Sequence, residues 1–60
     1  MYKAGDWLRL KAMPEYLTYI IAVWPEKKMY RTMRYREGNE IGKSFLLFDE
    51  AEEHYEPASV

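Results

Sequence analysis

Few residues of this chain have the types and spacing that chemistry needs. His54 is the only histidine, and it lies among Glu50, Glu53 and Glu56. An imidazole with carboxylates can ligate a divalent metal. With no second histidine and no cysteine, however, the set falls short of a specific site, and a solvated histidine in an acidic stretch accounts for it. Gly42-Lys43-Ser44 has the ending of a phosphate-binding loop. The full pattern needs a glycine at position 37, where Glu37 stands with Gly38 one residue late, and no helix-length segment follows. A β-turn explains these residues better. Ser44 and Ser59 are the only serines, and neither has the surroundings of a nucleophile elbow. The expectation is a non-enzymatic protein with no metal and no cofactor.

A second group of residues points to contact rather than catalysis. Trp24, Lys28, Tyr30, Arg34 and Arg36 interleave aromatic and basic side chains. Tyr, Trp and Arg dominate the energetics of protein interfaces. The same mixture can stack on bases and neutralise phosphates. These five are the candidate binding residues, with a protein partner or self-association as the first reading. Nucleic acid bound along the basic stretch Lys27 to Arg36 is the second. The net charge of −1 is unevenly spread. Residues 27 to 43 hold six of the nine Lys and Arg, whereas residues 44 to 60 hold five acids and no Lys or Arg. That acidic segment offers a third, weaker reading, a row of carboxylates that mimics phosphates. A basic strand and an acidic tail lying close together in the fold would account for the same pattern.

These residues must be held by strands. Gly5-Asp6 leads into Trp7 to Lys11, where Leu8 and Leu10 alternate with Trp7, Arg9 and Lys11. Pro14 ends that strand. Tyr16 to Trp24 is β-branched and aromatic. Pro25-Glu26-Lys27-Lys28 turns the chain, Met29 to Arg36 returns, and Gly38-Asn39 closes the return. A basic amphipathic helix over residues 26 to 37, with Met29 and Met33 on one side, is the competing reading. Side-chain parity argues the hairpin register. Pairing Val23 with Met29 gathers Leu17, Tyr19, Ile21, Val23, Met29, Met33 and Tyr35 on one face, which becomes the expected core. Ile20, Ala22, Trp24, Tyr30 and Thr32 then form the outer face, and Met33→Ala should destabilise more than Tyr30→Ala. Lys43 to Phe48 is a further short strand. Asp49 with Glu52 three residues on has the spacing of a capping box for one helical turn to Glu53, before a brief last strand at His54 to Glu56.

The order of strand, long hairpin, strand, helical turn and short strand resembles the SH3-like small barrels, including Tudor-type and KOW-type modules. The likeness covers nearly the whole chain as a pattern of elements. It implies an all-β fold: one antiparallel barrel of about five strands over residues 1–60, acting as a binding module for peptides, nucleic acids or other subunits. Some plasmid dihydrofolate reductases use such a barrel, but their Val-Gln-Ile-Tyr signature does not occur here. Sixty residues without cysteine bury only about 60% of their unfolded surface and gain no disulfide support. Ten aromatic residues exceed what so small a core can hold, which favours a partner or a second copy. No apolar run approaches the ~20 residues that span a bilayer, and no basic-then-apolar start marks a signal peptide. A cytoplasmic location without membrane contact is expected.

Overall fold

The computed structural model describes residues 1–59. Five strands form one antiparallel sheet: β1 (Trp7–Leu10), β2 (Tyr16–Trp24), β3 (Met29–Arg36), β4 (Asn39–Leu47) and β5 (Tyr55–Pro57). Their order in the sheet is β4-β3-β2-β1-β5. One short helix, α1 (Phe48–His54), carries the chain from β4 to β5. The protein is all-β as expected, but β4 and β5 remain as free edges, so the sheet does not close into a barrel.

Local chemistry explains each join. Gly5 has φ +94°, a conformation that costs a residue with a Cβ. Its N–H donates to the Ile20 carbonyl at 2.8 Å, and the Ile20 N–H donates to the Asp6 carbonyl at 2.9 Å. The turn is thus stitched to β2 before β1 begins. Pro25–Lys27 forms a 3-10 turn, ended by Lys28 in the left-handed region. Residues 26 to 37 are therefore a turn followed by a strand, not a helix. Glu37 and Gly38 both have positive φ between the paired Arg36 and Asn39. This is the two-residue hairpin turn whose twist matches the flanking strands. β4 accordingly starts at Asn39, four residues before the strand expected at Lys43. The helix begins at Phe48, and Asp49 lies inside its first turn instead of capping it. Glu50 accepts the Leu47 N–H at 3.2 Å, so the reciprocal carboxylate is Glu50 and not Glu52.

The β2–β3 hairpin contains two registers, the expected one and an alternative in which Trp24 pairs with Met29. From Tyr16↔Arg36 to Ile20↔Thr32 it follows the expected register. Ile21 then bulges out, and from Ala22↔Arg31 to Trp24↔Met29 the strands follow the alternative one. One extra residue on β2 moves Val23 to the face of Tyr30 and sends Ala22 to the other.

The core lies on the face opposite to the one expected. Leu8, Ile20, Tyr30, Leu46 and Ala51 are buried, with Thr18 and Thr32 beside them. Tyr30 is fully buried. Its ring packs on Phe48, with centroids 4.7 Å apart, and its hydroxyl accepts the Tyr2 N–H at 3.1 Å. Helix α1 covers this face through Ala51. Counting apolar residues chose wrongly because Thr18 and Thr32 look polar. Thr32 is nonetheless satisfied, since its hydroxyl donates to the Ser44 carbonyl at 3.0 Å.

The N-terminal turn makes one stability term dependent on pH. The Asp6 carboxylate accepts from Lys3 Nζ and from the Lys3 N–H, both at 2.9 Å. The Lys3 side chain, then its backbone N–H, holds the Asp6 carboxyl below its usual value. A depressed carboxyl contributes stability above its unfolded pKa and loses it as pH falls through the folded one. Asp6→Asn is therefore expected to lower the melting temperature slightly at pH 7. That gap should narrow as the solution is acidified below the ordinary carboxylate range. A gap that widens in acid would contradict this account.

Candidate functional site

The face without the helix carries the exposed aromatic surface. Cross-strand pairing arranges it in rows. Trp7, Tyr19, Met33 and Lys43 form one row across four strands. Glu56, Arg9, Leu17, Tyr35 and Glu40 form the next. Trp7 lies between two tyrosines, 5.0 Å from Tyr19 and 5.2 Å from Tyr35 between ring centroids. Leu17, Tyr19, Met33 and Tyr35 are only half-buried, because no element packs over them. Toward the hairpin tip the same face continues through Arg31, Phe45, Met29, Leu47 and Trp24, with the Trp24 and Phe45 ring centroids 6.4 Å apart.

Charges on this face are partly matched. Arg9 pairs with Glu56 at 3.5 Å. Arg31 and Lys43 have no carboxylate within 4 Å among the described residues, and both are exposed. They leave a positive margin along the β3–β4 side of an apolar strip.

The five candidate residues do not form one site. Trp24 stands at the tip of the open face, with Lys27 Nζ 5.8 Å from its ring centre. Lys28 is part of the tip turn, and its carbonyl accepts the Phe48 N–H at 2.9 Å. Tyr30 is core and unavailable to any partner, which corrects its expected outward position. Arg34 and Arg36 lie on the helix-covered side at the far end of the hairpin. Arg36 is seven residue steps along the strand from Met29, beside Trp24, which is roughly 23 Å. Both guanidiniums lie over the Tyr16 ring, at 5.8 and 5.6 Å. The bulge at Ile21 broke the predicted grouping, because it placed Trp24 and Tyr30 on opposite faces.

Beside α1 a polar cleft of about 220 Å³ is lined by Thr18, Thr32, Arg34, Ser44, Glu50 and Tyr55, among others. Its Ser44 hydroxyl donates to the Phe45 carbonyl at 3.3 Å, and Glu50 is engaged at the helix start. Among the described residues no three His, Cys, Asp or Glu side chains converge on a point where a metal would sit. No helix among the described residues is long and apolar enough to cross a membrane.

The residues that sequence reasoning missed are Trp7, Tyr19 and Tyr35. Trp7 was legible as the outward partner of Leu8. The two tyrosines were assigned to the core, and only the pairing of Leu8 with Thr18 reveals the inversion. No family model, no curated protein and no solved structure matches this chain.

Proposed function

We propose that this chain is a small non-enzymatic interaction module, an accessory or regulatory protein whose open sheet face docks a protein partner. The observation that carries this reading is the Trp7–Tyr19–Tyr35 cluster with Leu17 and Met33, left half-exposed on a face that no element covers. A contiguous apolar surface on a small domain marks a contact site, and tryptophan and tyrosine supply the largest interface energies. Arg31 and Lys43 beside the strip favour a partner that presents an apolar patch flanked by carboxylates. The order of elements supports an SH3-like reading of the module, with an open sheet in place of the barrel.

Nucleic acid is the weaker reading. Tyr16 with Arg34 and Arg36 supplies an aromatic ring and two cations, but the guanidiniums already lie over the ring that a base would need.

The test is affinity for a purified partner recovered with the tagged chain. Tyr35→Ala, with its fold verified by circular dichroism, should weaken binding about 30-fold, as loss of a hot-spot side chain does. Lys11→Ala, outside the strip, should leave it unchanged. Equal affinity of Tyr35→Ala and the parent chain would remove this face as the docking site. Quenching of tryptophan fluorescence by single-stranded oligonucleotides at low salt, lost as salt rises, would favour the nucleic-acid reading.

A further inference from the structure

Strand β4 is an edge strand of nine residues, and its outer side is not covered. Natural edges of this length are usually blunted by lysines, proline or a bulge. β4 has one bulge, at Ile41 between the pairs Arg34↔Gly42 and Tyr35↔Glu40, and beyond it the strand runs regularly to Leu47. That regular part exposes Phe45 by 57% and Leu47 by 45%, which is unusual for a monomer's edge.

The hydrogen-bond phase identifies the free backbone groups. The Phe48 N–H donates to the Lys28 carbonyl, and this pair continues the β3–β4 register. Alternation in an antiparallel ladder then turns Leu46, Ser44 and Gly42 inward toward β3, and Leu47, Phe45 and Lys43 outward. The Leu47 N–H is already taken by Glu50. The groups of Phe45 and Lys43 remain for an added strand, with the Phe45 carbonyl also accepting a long 3.3 Å bond from the Ser44 hydroxyl.

We propose that two copies of this chain join edge to edge through β4, antiparallel, with the two-fold axis at Ser44, into one ten-stranded sheet. Symmetric registers centred on Lys43, Ser44 and Phe45 compete along the regular part of the strand. Centring on Lys43 opposes two lysines directly. Centring on Phe45 calls on the Leu47 N–H that Glu50 holds. Centring on Ser44 exchanges both bonds between Lys43 of one copy and Phe45 of the other, twice, using only the free groups. It also sets each ammonium beside an aromatic ring. Gly42 falls opposite Leu46, so nothing bulky collides there. The occupant is a second copy because this strand satisfies its own pairing rule with no residue left in conflict. The bonds of this dimer come from the edge backbone of β4, and although the Lys43 and Phe45 side chains also border the open face, the proposal does not rest on the docking of a partner there.

Only about five residues per copy take part, so the dimer is weak and forms with concentration. Sedimentation equilibrium should show the mass rising from 7.3 kDa toward twice that value between micromolar and millimolar protein. Phe45→Lys, which places a cation opposite Lys43 of the other copy, should hold the chain monomeric over the whole range, and Trp7→Ala should not. The register has its own readout, since the chain lacks cysteine. Ser44→Cys places two thiols at a non-hydrogen-bonded pair about 4.5 Å apart between Cα atoms, within reach of a disulfide. It should cross-link at least tenfold faster than Asn39→Cys. A monomer at millimolar concentration, a dimer indifferent to Phe45→Lys, or equal cross-linking at the two positions would each overturn the proposal. Loss of the dimer with partner binding intact at Tyr35 would leave the open-face reading standing.

Discussion

Tyr30→Ala is expected to unfold the domain at room temperature, whereas Met33→Ala should cost about 1 kcal/mol. Tyr30 is fully buried between Tyr2 and Phe48, and truncating a buried aromatic costs about 3 to 5 kcal/mol. Sixty residues carry a total stability of roughly 3 to 9 kcal/mol, so the loss consumes most of it. The Tyr2 N–H would also lose the hydroxyl that accepts it. Met33 lies half-exposed on the open face, and shortening it leaves no sealed cavity. Urea melts of the two variants decide the matter. A folded Tyr30→Ala beside an unfolded Met33→Ala would mean that the faces are reversed.

The second large effect belongs to the helix. Ala51 is fully buried, and it is the only buried residue of α1. Its methyl sets how closely the helix approaches Leu8, Ile20, Tyr30 and Leu46. Ala51→Glu brings both excess volume and a charge without a partner into that contact, at about 3 kcal/mol or more. Ala51→Ser adds a single oxygen and should be tolerated far better. The expected outcome for Ala51→Glu is a chain with much of its strand signal in the far ultraviolet but a dye-binding apolar face. Retention of the parent melting temperature would show that α1 does not seal the core.

Local signals carried the fold a long way. Gly5-Asp6, Pro14, the run from Tyr16 to Trp24 and the turn after Pro25 each name a boundary through φ preference or a missing N–H. The structure has those boundaries within a residue or two, except that β1 ends at Leu10, four residues before Pro14. The hairpin turn at Glu37-Gly38 was half visible, since only Gly38 advertises a positive φ and Glu37 adopts one without an obvious signal. The faces were not legible. Tyrosines sit on both sides of β2 and β3, Met29 and Met33 stand on the side opposite Thr18 and Thr32, and a period of two cannot choose between sets of near-equal apolarity. The choice is made by Leu8 and Ala51, which lie far away in the chain. The bulge at Ile21 is invisible for a similar reason, since Ile21 resembles its neighbours and the irregularity exists only relative to β3. The candidate site inherited both gaps. Aromatic and basic residue types were legible in the sequence, while their grouping on a face required a register.

Strands β1 and β5 come from opposite ends of the described chain, yet they lie side by side, Leu8 against Pro57 and Leu10 against Tyr55. The meander from β2 to β4 needs only tight turns to assemble, and such local contacts form early. The β1–β5 seam must wait for nearly the whole chain to be drawn together, and only three residues of β5 hold it. Amide exchange should therefore be fastest along that seam, where the Lys11 and Ala58 N–H groups donate to the His54 and Trp7 carbonyls at 2.9 Å. Each transient parting bares the flank of Leu8. The β1–β5 side of this small sheet thus breathes on a faster clock than the β2–β4 meander.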